Sequence, residues 1–430
     1  MKLSDCCLKI GSGATPRGGK SSYLEEGPFS LIRSQNIHNN LFARRGLAFI
    51  SDEQARQLQN VDVKPNDVLL NITGDSVARV CQVPEDVLPA RVNQHVAIIR
   101  PDSSKLIHKY LHYFLVSPKM QTYMLNLASA GATRNALTKG MIESFEVPAT
   151  SIDEQKAIAS VLGALDDKIE NSRRMNETLE EMARAIFKSW FVDFDPVNAK
   201  AAGNAPAHMD ADTAALFPSS FGDDGLPAGW SLGQLSDLVH LNPTERIKKG
   251  ELSSYIEMAN LPTSGSNISN VVLREFKSGT KFRNGDTLLA RITPCLENGK
   301  TAYVDVLEEG EVAWGSTEYI VMRAKDPLPK FYSYVLARSE HFREHAIRSM
   351  TGTSGRQRAQ ADMVAAYEVV IPPKSVASAF CEIGQNWFSK IRYNAAESKT
   401  LAELRDTLLP KLMSGEMRVA DAEREVEAAV

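Results

Sequence analysis

Three short stretches early in this 430-residue chain set a cation or hydroxyl beside side-chain amides: Arg33-Ser-Gln35-Asn36, Arg91-Val-Asn93-Gln94 and Thr133-Arg134-Asn135. A guanidinium can grip the edge of guanine, and a carboxamide the edge of adenine, through paired hydrogen bonds in a major groove. Comparable stretches later in the chain are Arg291-Ile-Thr293 and Gly352-Thr353-Ser354-Gly355-Arg356-Gln357-Arg358, the second glycine-rich and cationic at its end. Singly, each is equally well explained as a solvated loop. Their recurrence at matching places in two halves of the chain favours base contact.

Other chemistry is weaker. Ala14-Thr-Pro-Arg17-Gly-Gly-Lys20-Ser21 fits the loose form of a phosphate-binding loop, but that mechanism needs a helix whose N-terminus faces the phosphate. The sequence that follows breaks at Gly27-Pro28, so Arg17 and Lys20 are read as a basic loop touching a DNA backbone, with nucleotide hydrolysis a distant third possibility. Asp193 and Asp195 flank Phe194 in a pattern better suited to capping than to metal, and His108 and His112 lack a third ligand. The five cysteines, at 6, 7, 81, 295 and 381, have neither disulfide-framework nor zinc spacing and are read as reduced thiols. No catalytic and no metal residue is assigned.

These residues need a scaffold, and the length implies more than one core, since cores stop growing at roughly 250–300 residues. Composition is that of a folded protein, with 43% hydrophobic and 24% charged residues. No apolar run approaches the roughly 20 residues of a membrane span, which places the protein in the cytoplasm. The net charge of −4 argues mildly against nucleic acid, but it is unevenly spread. Residues 1–150 hold 17 basic against 13 acidic side chains and residues 226–373 hold 17 against 17, while 201–225 holds none against 4.

The chain is written twice, at an offset of about 222 residues. KPNDVLLNIT at 64–73 matches FRNGDTLLARIT at 282–293, NQHVAIIRP matches STEYIVMRAKDP, HKYLHYFLVSP matches PKFYSYVLARS, and AGATRN matches TGTSGR. Each strand-rich block is followed by a helix with heptad spacing. The first seam runs through Leu162, Leu165, Ile169, Asn176, Leu179 and Ile186; the second through Trp387, Ile391, Asn394, Leu401 and Leu408. Both seams are interrupted by two polar residues at matching places, Ser172 and Asn176 in one and Asn394 and Ser398 in the other, which antiparallel pairing would bring together to fix the register. The expected class is α+β: two pseudo-symmetric mixed α/β domains separated by two long antiparallel coiled-coil helices.

The segments LDDKIENSRRMNETLEEMARAIFKSWFVDFDP (165–196), GLPAGW (225–230) and TLLPKLMSGEMRV (407–419), with GATP, NDVLLNITG and NQHVAI in support, are similar to those of the specificity (S) subunits of type I restriction–modification systems. The resemblance covers nearly all of the chain. It implies target-recognition domains at 1–150 and 226–373, spacer helices at 151–196 and 374–418, a surface linker at 197–225 and a C-terminal tail at 419–430. It also implies that the chain is non-catalytic and reads a split target on double-stranded DNA; because LNPTERIKKG in the second block has no likeness to the GATP opening of the first, the two half-sites are expected to differ and the target to be asymmetric. Two modification subunits carrying S-adenosylmethionine would methylate adenine, and restriction subunits using ATP and Mg would translocate and cleave; the chain itself would hold no cofactor. Phe187, Trp190, Phe191 and Phe194 would anchor the first helix end, packing within the chain in preference to a modification subunit, because the second copy has Leu409, Leu412 and Met413 there. The alternative from another class is a coiled-coil scaffold that binds proteins without reading DNA.

Overall fold

The computed structural model describes residues 1–430 apart from 17, 131–134, 354 and 430, and the side chain of Lys20 also lies outside the described part. The chain divides into two compact units, Met1–Glu170 with Lys399–Val430, and Asn171–Ser398. The divisions fall inside the long helices and not at the block ends expected from sequence.

The first unit carries strands β1 (Cys7–Ser12), β2 (Phe29–Ile32), β3 (Ala48–Ile50), β4 (Asp62–Val63), β5 (Val68–Asn71), β6 (Val80–Gln82), β7 (Ala90–Val92) and β8 (Val96–Pro101). Two four-stranded sheets result, ordered β1-β8-β5-β6 and β3-β2-β7-β4. The first is antiparallel throughout, and the second contains one parallel pair, β2 with β7. Helices α1 (His108–Val116) and α2 (Pro118–Ser129) follow.

The second unit carries β9 (Val239–Leu241), β10 (Leu252–Ile256), β11 (Val272–Glu275), β12 (Thr280–Arg283), β13 (Thr287–Ala290), β14 (Thr301–Tyr303), β15 (Val312–Gly315) and β16 (Tyr319–Ala324). Its sheets are ordered β9-β16-β13-β14 and β11-β10-β15-β12, again with one parallel pair, β10 with β15. Adding eight to each strand label of the first unit therefore reproduces the second. A duplicated sequence has folded into a duplicated topology.

Alternation explains why the central strands read as unbroken apolar runs, since successive side chains point to opposite faces. Val68, Leu70, Ala97 and Ile99 enter one core of the first unit, and Leu69, Val96 and Ile98 enter the other. In the second unit Leu289, Ile320 and Met322 divide from Leu288, Tyr319 and Val321 in the same way. Each unit also buries a carboxylate at the mouth of its central strand. Asp67 takes Arg100 at 2.7 and 2.8 Å and the backbone N–H of Lys64 at 2.7 Å. Asp286 takes Arg323 at 2.6 and 2.7 Å and the backbone N–H of Arg283 at 2.9 Å.

Helix α3 (Ile152–Phe191) has 40 residues, about 60 Å at 1.5 Å per residue. Ser151 caps it, its hydroxyl accepting from the backbone N–H of Glu154 at 3.2 Å. Phe194, in the left-handed conformation at φ 55°, and Pro196 end it. Further along are α4 (Asp195–Ala201), α5 (Ala211–Ala215), α6 (Tyr332–Arg338) and α7 (Glu340–Arg348). The second long helix, α8 (Lys374–Ser414), stops at Gly415, whose φ of +76° suits glycine.

In the second unit the two long helices run antiparallel, with Phe191 against Phe380 at one level and Asn176 against Asn394 at another. Asn394 Nδ2 donates to Asn176 Oδ1 at 2.8 Å, and Asn176 Nδ2 to the Ile391 carbonyl at 3.2 Å, so the two asparagines of the polar layer are buried and paired. Leu162, Leu165, Ile391, Leu401 and Leu408 are buried; Ile169, Leu179, Ile186 and Trp387 are half-buried. The aromatic helix end packs inside its own unit: Phe187 on Tyr332, Trp190 on Phe217 and Phe194 on Trp230, with ring centroids 5.5, 5.0 and 5.9 Å apart.

Two expectations need correction. The stretch 197–225 is more than a surface linker, because Val197 and Phe217 are buried in the aromatic core of the second unit. The segment after 418 is a helix, α9 (Val419–Ala429), and not a tail; Ala422 and Val426, four apart on one face, enter the core of the first unit. Among the described residues no helix is long and apolar enough to cross a membrane.

Candidate nucleic-acid interface

Three loops of the first unit converge where strands end: 33–36 after β2, 72–79 after β5, and 93–95 between β7 and β8. Ser34, Gln35, Thr73, Asp75, Arg79 and His95 line an open concavity of about 390 Å³. Gly13 lets the GATP loop lie directly on this rim, since a Cβ there would meet the Val92 carbonyl oxygen at 1.7 Å. Thr15 then hydrogen-bonds to the Gln94 side chain. His95 bridges Gln94, at 3.0 Å, and the Thr73 hydroxyl, at 2.5 Å. Arg79 approaches His38 at 3.5 Å, and burial together with that cation pulls the His38 pKa below its usual value.

Of the residues singled out from sequence, Gln35, Gln94 and Asn135 are exposed here, and the Asn135 carbonyl accepts from the backbone N–H of Gly74 at 3.1 Å. Arg33 is half-buried, donating to the Gly46 carbonyl at 2.6 Å with its guanidinium over the Tyr23 ring. Three others are corrected. Asn36 is fully buried and caps its own turn, accepting from the Arg33 backbone N–H at 3.0 Å and donating to the Ala43 carbonyl at 2.9 Å. Arg91 lies in the sheet, paired with Asp62 at 2.5 Å and stacked over Phe29. Asn93 is buried, its side-chain oxygen accepting from the His95 backbone N–H at 3.1 Å. Groups spent inside the fold shape the rim and do not present a base-reading edge. Arg17, Thr133, Arg134 and Ser354 lie outside the described residues, as does the Lys20 side chain. Gly19–Ser22 forms one short 3₁₀ turn, not the helix that a phosphate-binding loop requires.

The second unit builds the matching rim from different side chains. The 291–293 segment is held by the 357–359 segment: the Thr293 N–H donates to the Gln357 carbonyl at 3.0 Å, and the Ala359 N–H to the Arg291 carbonyl at 2.8 Å. Met350–Thr351 pairs with Arg358–Ala359, so the glycine-rich stretch is a hairpin loop with Thr353 and Arg356 exposed. Arg358 is clasped by both oxygens of Glu318, whose hydrogen bonds raise the guanidinium pKa. Glu318 is the repeat mate of His95. One structural position thus holds an imidazole in one copy and a carboxylate in the other. Sequence reasoning missed Thr73, Arg79, His95 and Glu318, although the repeat alignment had already paired the last two.

A second concavity in this unit, about 490 Å³, lies beside Tyr303, Asp305, Cys381, Phe388 and Arg392. Burial pushes the Asp305 carboxyl from 3.8 up to about 6, Arg392 opposes that and Glu180 adds to it. The folded chain then keeps a proton that the unfolded chain releases from about pH 4 upward. Stability falls as pH rises through the interval between the two values and is level above it. We expect Asp305→Asn to remove this fall, about 1–2 kcal/mol after allowance for water reaching the half-buried group, in denaturation midpoints compared at pH 4.5 and 7.5. Equal slopes for both proteins would contradict it.

The chain thus carries two copies of one fold, each ending in a polar rim at the loop ends of its sheets. The family of type I restriction modification DNA specificity domains matches residues 1–181. The MjaIX specificity subunit of Methanocaldococcus jannaschii is 26% identical over 428 residues, covering 96% of this chain and 92% of that protein. The HindI specificity subunit of Haemophilus influenzae is 24% identical over 450 residues, covering 90% and 94%. A crystal structure of the S subunit of a type I restriction–modification system from M. genitalium shares the fold, with a TM-score of 0.52 at 14% identity over 96% of this chain and 95% of that one. Residues 1–181 thus match that domain family, and the chain is similar along nearly its whole length to type I restriction–modification specificity subunits.

Proposed function

We propose that each unit reads one half of a split, asymmetric sequence on double-stranded DNA, and that the chain directs adenine methylation and cleavage by partner subunits without catalysing either. The observation that carries this is the repeated strand order with unlike rims: the same loops converge twice, but over His95 and Gln94 in one copy and Glu318 and Arg358 in the other. Unlike donor and acceptor sets select unlike base edges, which supports an asymmetric target. Phosphate contacts would place each rim, and Gln35, Gln94, Asn135, Arg291, Thr293, Arg356 and Gln357 are the described candidates for specifying it. Two methyltransferase subunits with S-adenosylmethionine, and restriction subunits with ATP and Mg, would complete the assembly in the cytoplasm.

Mobility shift of cognate duplex by the chain with its methyltransferase subunits tests this, with a scrambled duplex as competitor. Equal affinity for both duplexes would contradict it. We expect Arg134→Ala and Arg356→Ala each to weaken cognate binding by about tenfold, the worth of one good base contact. Wild-type affinity in both would remove these loops from the interface.

A further inference from the structure

Tyr113 and Tyr334 are repeat mates in α1 and α6. Strict symmetry would pair each hydroxyl with the long helix of its own copy. Tyr113 obeys, donating to Asp166 Oδ2 on α3 at 2.6 Å, while Arg405 from α8 closes on Oδ1 at 2.7 Å. Tyr334 does not. At the matching place α8 offers Phe388, a ring whose centroid is 6.0 Å from that of Tyr334, and the hydroxyl donates instead to Glu180 Oε2 on α3 at 2.6 Å.

Glu180 is 5% exposed, and its other oxygen accepts from the backbone N–H of Ser266 at 2.8 Å. Arg338 donates to the Tyr334 hydroxyl at 3.3 Å and to the carbonyls of Thr263, Gly265, Gly299 and Thr301, tying two loops to the same point. A carboxylate this deep is costly unless each oxygen is bonded, and here each is. Neighbouring apolar residues would satisfy packing alone, but a hydrogen bond to a fixed charge also sets direction. Asp166 and Glu180 stand fourteen positions apart on one helix, two heptads, and each belongs to a different unit.

We propose that Asp166 and Glu180 are positioning residues for target selection: through Tyr113 and Tyr334 each fixes the seat of its own recognition fold on α3, and together they limit the number of unspecified base pairs accepted between half-sites. The proposal rests on the DNA-reading function above. The test uses the full chain assembled with its methyltransferase subunits and three duplexes, carrying the methylated sequence recovered from cells with its native gap or a gap one base pair shorter or longer. Tyr334→Phe, Glu180→Gln and Tyr113→Phe should each lower the preference for the native gap by about tenfold, with DNA still bound. A purely structural role would slow methylation of all three duplexes alike and leave the preference intact, which would overturn the proposal. If Glu180→Gln does not assemble, Tyr113→Phe on its separate bond carries the same measurement. A wild-type complex indifferent to the gap would instead overturn the function on which the proposal rests.

Discussion

Asp67→Ala is expected to destabilise the first unit by about 3–5 kcal/mol, because removing one member of a buried ion pair strands the other. Asp67 is fully buried, and its hydrogen bonds raise the pKa of Arg100. Without it the Arg100 guanidinium keeps, among the described residues, only the hydrogen bond to the Asp62 carbonyl at 2.9 Å, and the Lys64 N–H loses its side-chain acceptor. Asp286→Ala, the repeat mate, should cost less. Arg323 retains Glu245 at 2.8 Å after the change, whereas the bonds to Asp286 are lost. Urea denaturation of both variants checks the magnitude and the order. An Asp67→Ala protein within about 1 kcal/mol of wild type would show that the pair is replaceable by water.

Inserting four residues into α3 near Asn176 is expected to change which DNA is methylated. Four residues add about 6 Å of rise, and B-DNA advances about 3.4 Å per base pair, so the unspecified gap should lengthen by one or two base pairs. The half-site sequences should not change, since the loops that carry Gln94 and Arg356 are untouched. Methylation mapping in cells expressing the longer chain reads both quantities. The original gap, methylated as before, would remove the helix from any role in spacing.

Much of the helix pair was readable from residue spacing because heptads are local. The seam positions Leu162, Leu165, Asn176, Ile391, Asn394, Leu401 and Leu408 are buried. Leu179, Ile186 and Trp387 are half-buried because the next residue, Glu180, Phe187 or Phe388, takes the inward place. In the first helix this is the sense in which 3.6 residues per turn drifts against a 3.5 repeat. The duplication was readable too, and it extends to the strand order of both sheets.

The rims were less readable. Arg91, Asn36 and Asn93 have the side chains of base readers, but type alone does not separate reading from capping or pairing within a sheet. Glu180 was invisible because nothing in a heptad pattern announces that a glutamate will meet Tyr334, distant in sequence. The α9 helix was missed although Ala422 and Val426 have helical spacing, and Phe217 was missed because the stretch around it, ADTAALFPSS, is rich in Ala and Ser and ends in a proline break.

Methylome sequencing of cells with the gene intact and deleted decides whether this chain chooses a DNA target. The intact strain should carry methyladenine in one asymmetric two-part motif with a constant gap, and the deletion should erase that motif alone. Identical methylation in both strains, or loss of a continuous palindromic motif, would contradict DNA reading by two unlike halves.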